Sequence, residues 1–131
     1  MNNKVLIIDD DEEMCAELTE ILTDEGYHVQ VALDGRRGKE LIEIGEHKTI
    51  ILDLKLPGLN GYEVLKIAKN HVKKPKVIIL SGRPLGEHNL FVRNSFQEEE
   101  ERILKLADAV MNKPVQIPQL IKKIKEYVKN K

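Results

Sequence analysis

Short apolar runs alternate along the chain with stretches whose apolar residues recur at helical spacing. Residues 4–8 form one such run, of strand length. From Asp11 the period changes, with Met14, Leu18, Ile21 and Leu22 at i, i+4, i+7 and i+8 until Gly26 stops the pattern. His28 to Leu33 predicts a second strand closed by the turn pair Asp34-Gly35, and Arg37 to Ile44 predicts a short helix ending at Gly45. A third strand is expected at Thr49 to Leu52. After the breakers Pro57-Gly58 and Asn60-Gly61, Val64, Leu65, Ala68 and Val72 mark a helix that must end before Pro75. Lys76 to Leu80 predicts strand four, Gln97 to Leu106 a helix, and Ala109 to Met111 a last short apolar run. The C-terminal helix, near Ile117 to Val128, places Leu120, Ile121, Ile124 and Val128 on one face and its lysines mostly on the other, a solvated side.

Strands that are apolar on both faces and alternate with helices imply a parallel sheet covered on both sides by right-handed crossovers. The predicted fold is therefore doubly wound α/β. In such sheets ligands bind beyond the carboxyl ends of the strands, where strand order reverses. Each apolar run here ends in a polar residue: Asp9 and Asp10 after the first, Asp53 after the third, Ser81 after the fourth and Lys113 after the last. Three carboxylates, a hydroxyl and an ammonium converging on one crevice suit phosphoryl transfer better than packing.

Length and charge narrow the reading. The 131 residues make one domain, large enough to bury roughly 68% of its unfolded surface in a single core. A formal net charge of −1 argues against generic attraction to nucleic acid or anionic membranes. The single Cys15 forms no internal disulfide and reads as a core or half-buried helix residue. Neither a signal-peptide pattern nor an apolar run of about 20 residues is present, so the cytoplasm is the expected compartment.

Four motifs in order, Leu6-Ile-Ile-Asp-Asp-Asp-Glu12, Leu52-Asp-Leu-Lys-Leu-Pro-Gly-Leu-Asn-Gly61, Leu80-Ser81 and Lys113-Pro114, make the chain resemble the receiver domain of bacterial two-component response regulators from about Lys4 to Val128. The resemblance implies a flavodoxin-like sheet of five parallel strands in the order 2-1-3-4-5. It also implies a stand-alone, single-domain switch of the chemotaxis or sporulation type over residues 1–131, with nothing after Val128 to serve as an output domain.

Asp53 is placed as a nucleophile toward phosphorus, giving an aspartyl phosphate. Two unit charges ~4 Å apart repel by ~4 kcal/mol at an effective dielectric near 20, so Asp9, Asp10 and Asp53 call for a divalent cation. All-oxygen ligands and a phosphate substrate favour Mg²⁺. By resemblance Asp10, Asp53 and the backbone carbonyl of Lys55 are direct ligands, and Asp9 acts through water. Lys113 supplies a cation to the phosphoryl oxygens and Ser81 a hydroxyl that moves toward them. The resemblance implies a cis bond between Lys113 and Pro114. It further implies a sensor histidine kinase or a histidine phosphotransfer protein as donor and a downstream protein as target, without direct contact to nucleic acid or membrane.

Two features depart from the family pattern. Val110 stands where an aromatic residue is usual, three residues before the lysine. The segment from Ser81 to Lys113 spans 113 − 81 = 32 positions, longer than usual by about two to three helical turns. Within it Arg83-Pro84-Leu85-Gly86 reads as a turn. Leu90, Phe91, Val92 and Phe96 read as a cap on the core or a partner patch, and Glu98 to Glu101 as a solvated first helical turn. Lys55 and Arg83, two residues beyond the acceptor and the hydroxyl, are poorly suited to orient an attacking water, so slow self-dephosphorylation is expected. The alternatives are a pseudo-receiver that binds partners without phosphorylation and a flavin-binding or hydrolytic enzyme of the same fold class. The second lacks both a phosphate-cradling Gly-rich loop and an Asp-x-Asp pair.

Overall fold

A computed structural model describes residues 2–82 and 95–129. Five strands, β1 (Lys4–Ile8), β2 (His28–Ala32), β3 (Thr49–Asp53), β4 (Lys76–Ser81) and β5 (Ala109–Asn112), form one parallel sheet in the order β2-β1-β3-β4-β5. Helices α1 (Glu12–Asp24), α2 (Gly35–Ile44), α3 (Gly61–Asn70), α4 (Ser95–Leu104) and α5 (Ile117–Lys129) alternate with them. The order reverses at β1 and β3, which places the crevice at the ends of those two strands.

The pleat sorts the apolar runs between two cores. Leu6, Ile8, Ile50, Leu52, Val77 and Ile79 pack against α2, α3 and α4 through Leu41, Ile42, Val64, Leu65, Ala68 and Ile103. The alternate residues Val5, Ile7, Ile51, Ile78 and Leu80 meet α1 and α5 through Cys15, Leu18, Leu22, Leu120 and Ile124. Burial on both faces holds for β1, β3 and β4 but not for the edges. β5 alternates half-buried and exposed positions, and β2 is only partly covered, because each lacks one neighbouring strand.

Several boundaries move for local reasons. Asp34-Gly35 is not a free turn: Asp34 caps α2, its carboxylate accepting from Arg37 N at 2.8 Å, so the helix starts two residues earlier than its apolar pattern. Leu33 falls outside β2 and is exposed. α3 stops at Asn70, and Val72 is 88% exposed rather than on the helix's buried face. The chain needs residues 71–74 to reverse before Pro75, and Lys74 does so at φ +43° with its N–H donating to His71 O. α4 begins at Ser95 and ends at Leu104, so of the acidic run only Glu98 lies in its first turn. The expected turn at 83–86 and the apolar residues Leu90, Phe91 and Val92 lie outside the described residues, as does the side chain of Phe96.

Candidate functional site

β1, β3 and β4 deliver their terminal side chains to one crevice. Asp9 follows β1 directly, while β3 and β4 run one residue further than their apolar patterns and include Asp53 and Ser81 as their last residues. Register pairs Asp53 with Leu80, and Ser81 with Asn112, the residue before Lys113. Asp9, Asp53 and Ser81 are buried, and Asp10 is exposed. One carboxylate oxygen from each of Asp9, Asp10 and Asp53 lies within 4.8 Å of the others.

Backbone amides aim these carboxylates. Asp11 N–H donates to Asp9 Oδ1 at 3.0 Å, and Lys55 N–H donates to Asp53 Oδ1 at 3.1 Å. Asp11 also caps α1 through Met14 N, which fixes the turn carrying the acidic pair. Lys113 Nζ stands 3.0 Å from Asp9 Oδ2 and 3.5 Å from Asp53 Oδ2. Its backbone N–H donates to Ser81 O at 2.7 Å, and the Lys113–Pro114 bond is cis, as the resemblance implies.

The electrostatics are unbalanced in a useful way. Among the described residues, three carboxylates face one ammonium. Burial pushes the Asp9 carboxyl above its ordinary range, and the Asp11 amide and Lys113 only partly offset that. For Lys113 burial acts against the charge, but Asp9 and Asp53 outweigh it and raise the ammonium's pKa. Asp9 Oδ2, although ion-paired with Lys113, accepts no aligned hydrogen bond. A buried oxygen with a spare lone pair, beside two more carboxylates, fits a hard divalent cation with oxygen ligands, the chemistry that suits Mg²⁺.

Two glycines close the crevice in a way their turn-forming character alone did not reveal. A Cβ on Gly61 would collide with Leu54 Cα and come within 2.6 Å of Asp53 O, so the α3 N-terminus packs directly on the backbone that carries the acceptor. Gly61 N–H donates to Leu54 O at 3.1 Å. Gly35 likewise packs on the Leu59 backbone, tying α2 to the loop after β3. Their sequence signal was present only as breakers beside Asn60 and Asp34. Cys15 is buried, its thiol held near Asp9 O at 3.4 Å and its pKa pushed up to about 12 by burial, which leaves it unreactive.

Residues 5–125 match the response regulator receiver domain family. The chain belongs to that family. The receiver domain protein of Methanospirillum hungatei JF-1 has a similar structure, with a TM-score of 0.80, 30% identity and coverage of 96% of this chain and 93% of that one. A second, the response regulator TrrA of Thermotoga maritima in complex with Mg(2+)-BeF, gives a TM-score of 0.77 at 25% identity over 95% and 98% of the two chains. Among curated relatives, the transcriptional regulatory protein CpxR of Escherichia coli K12 is 31% identical over 97% of this chain and 50% of its own length. The receiver spans between 32% and 65% of the length of such relatives. The acidic cluster of Asp9, Asp10 and Asp53 matches the phospho-acceptor site of receiver domains. Among the described residues no helix is long and apolar enough to cross a membrane.

Proposed function

We propose that residues 1–131 form a single receiver domain that acts as a phospho-acceptor switch, working in the cytoplasm with a histidine kinase or a histidine phosphotransfer protein as donor. The observation that carries the reading is Asp53, held at the end of β3 by the Lys55 amide, with Asp9 and Asp10 within 4.8 Å and Lys113 at 3.5 Å. A carboxylate oxygen of Asp53 attacks the phosphorus of a phosphohistidine in line, the P–N bond breaks, and the imidazole leaves with its proton restored from solvent. Asp9, Asp10, Asp53 and the Lys55 carbonyl would hold Mg²⁺, which supplies charge neutralisation for the incoming phosphoryl oxygens. Lys113 gives up part of its contact with Asp53 to pair with one phosphoryl oxygen, and Ser81 donates its hydroxyl to another.

The displacement of Ser81 leaves the site along β4 and β5. Val110, 43% exposed on β5, offers a small apolar surface there instead of an aromatic ring, so the downstream protein is recognised through backbone shifts and the neighbouring helices. The exposed Lys55 side chain offers an ammonium, not a carboxylate or amide, to the water path, which supports a long-lived phosphoryl group.

Incubation with acetyl phosphate and Mg²⁺, followed by intact mass, tests the reading. A gain of one phosphoryl group that needs the metal and vanishes in Asp53→Asn is expected. No gain in the wild-type chain would favour the pseudo-receiver.

A further inference from the structure

We propose that a groove at the N-terminal edge of the sheet binds a small polyphosphate anion of the size and charge of a nucleoside diphosphate. The groove has a volume of about 970 Å³, at the upper end of small-molecule sites. Lys4, Lys48, Lys73, Lys74 and Lys76 line it against a single acid, Glu46. Five ammoniums less one carboxylate leave +4 in the lining of a chain whose net charge is −1. Five of the chain's 21 lysines and arginines therefore face one groove with a local excess of positive charge.

Part of that charge is already matched. Lys4 pairs with Glu46 at 3.3 Å, and Lys76 with Asp108, outside the groove, at 3.6 Å. Lys73 and Lys74 make no side-chain ion pair among the described residues. They are exposed and sit on the tight turn that leads into β4. Lys74 holds φ +43° directly before Pro75, a conformation costly for a residue with a Cβ and disfavoured before proline. His71 fixes the turn, its carbonyl accepting from Lys74 N–H at 2.9 Å and its Nδ1 from Lys73 N–H at 3.2 Å. Two adjacent ammoniums are thus presented together from a restrained backbone.

The walls favour an organic phosphate over a bare surface counterion. His47 is buried in the lining, with Nε2 2.9 Å from Gln30 Oε1, an arrangement in which Nε2 donates; its Nδ1 is buried without a partner. Burial lowers the His47 pKa, and an anion nearby would oppose that shift by stabilising the protonated ring. His28 and the 60% exposed Ile44 add a less polar wall for the part of the ligand that carries no charge. A concave site of this volume suits a compact ligand, whereas a protein partner needs about 800 Å² of matched surface on each side. β1 starts at Lys4 in the groove and leads to Asp9 in the crevice, about 17 Å of strand away. The two ligands share no atoms.

Titration of the full chain with ADP and, separately, inorganic pyrophosphate at fixed ionic strength, followed by calorimetry and amide chemical shifts, tests the proposal. Saturable binding of one molecule is expected, with shifts at His47, Lys73 and Lys74. Lys73→Glu combined with Lys74→Asn, an asparagine being tolerant of positive φ, is expected to weaken it by roughly tenfold. Asp53→Asn should leave it unchanged, so loss of phosphorylation and loss of groove binding are separable. Equal affinities for the two probes assign recognition to the phosphates, and tighter ADP binding adds the His28 and Ile44 wall; either supports the site. Absence of saturation by both probes, or an equal loss in Lys122→Glu, an exposed α5 lysine outside the groove lining, would overturn it. Saturation by an acidic peptide or duplex DNA at lower concentration than ADP would also overturn it.

Discussion

The two ends of the same strands carry opposite charge, and they carry it on different kinds of side chain. At the carboxyl ends, Asp9 and Asp53 are short, buried and each fixed by a backbone N–H, with Lys113 paired to both. At the amino ends, five lysines surround Glu46 on long stems. A short acid at a strand terminus is positioned as finely as the sheet itself, which bond making requires. A lysine on four methylenes gives attraction without fixed geometry, which is enough for binding. A net charge near zero hides this separation.

The largest effect on that contrast is expected from Gly61→Ala. The new methyl group would meet Leu54 Cα and Asp53 O, both backbone atoms that cannot rotate away. A loss of ~1–3 kcal/mol by urea denaturation is expected from overpacking, together with slower phosphorylation by acetyl phosphate as the acceptor is displaced. ADP binding at the other end should not change. Wild-type phosphorylation kinetics in this variant would show that the crevice is less rigidly built than its hydrogen bonds suggest.

Next is Asp9→Asn, which separates the cost of the acidic cluster from its use. Because burial raises the Asp9 pKa, the metal-free fold favours the protonated acid. That contribution is present below the unfolded value, about 3.9, and is lost as pH rises through the higher folded value. At pH 7 the buried carboxylate therefore costs stability. With a chelator present, Asp9→Asn should unfold at higher temperature than wild type at pH 7, the difference shrinking toward pH 3; added Mg²⁺ should stabilise wild type and much less the variant. A variant less stable than wild type in chelator would mean that the Lys113 ion pair outweighs desolvation.

Much of this was readable from the sequence, and unevenly so. Strands β1, β3 and β4 gave continuous apolar runs because both their faces are buried, and the polar residue ending each run marked the site without ambiguity. The edge strand β5 was harder: its Val110 belongs to an apolar run yet lies exposed, since periodicity cannot say that a strand has only one neighbour. Val72 failed for a related reason, its apolar character extending α3 on paper while the turn before Pro75 ended the helix at Asn70. Gly35 and Gly61 read as punctuation, because a close approach to Leu59 or Leu54 depends on a chain neighbour many residues away or on a loop's return path. The groove was invisible as such: Lys4, Lys48 and Lys73 to Lys76 are scattered along the sequence and meet only where β1, β3 and β4 begin side by side.

The smallest expected effect is the sharpest test of the charge contrast. Glu46 is the groove's only acid and pairs with Lys4, both partners about half exposed. Such a pair contributes little, so Glu46→Gln should change unfolding free energy by no more than about 0.5 kcal/mol. It leaves the Glu46 carbonyl free to keep its hydrogen bond from Asn2. The same change releases Lys4 and raises the lining from +4 to +5, so ADP should bind about two- to threefold tighter at low ionic strength, the gain fading as salt is added. Tighter binding that persists in high salt would point to shape rather than charge as the basis of recognition, and unchanged affinity at low salt would place the anion away from Lys4, toward the Lys73–Lys74 turn.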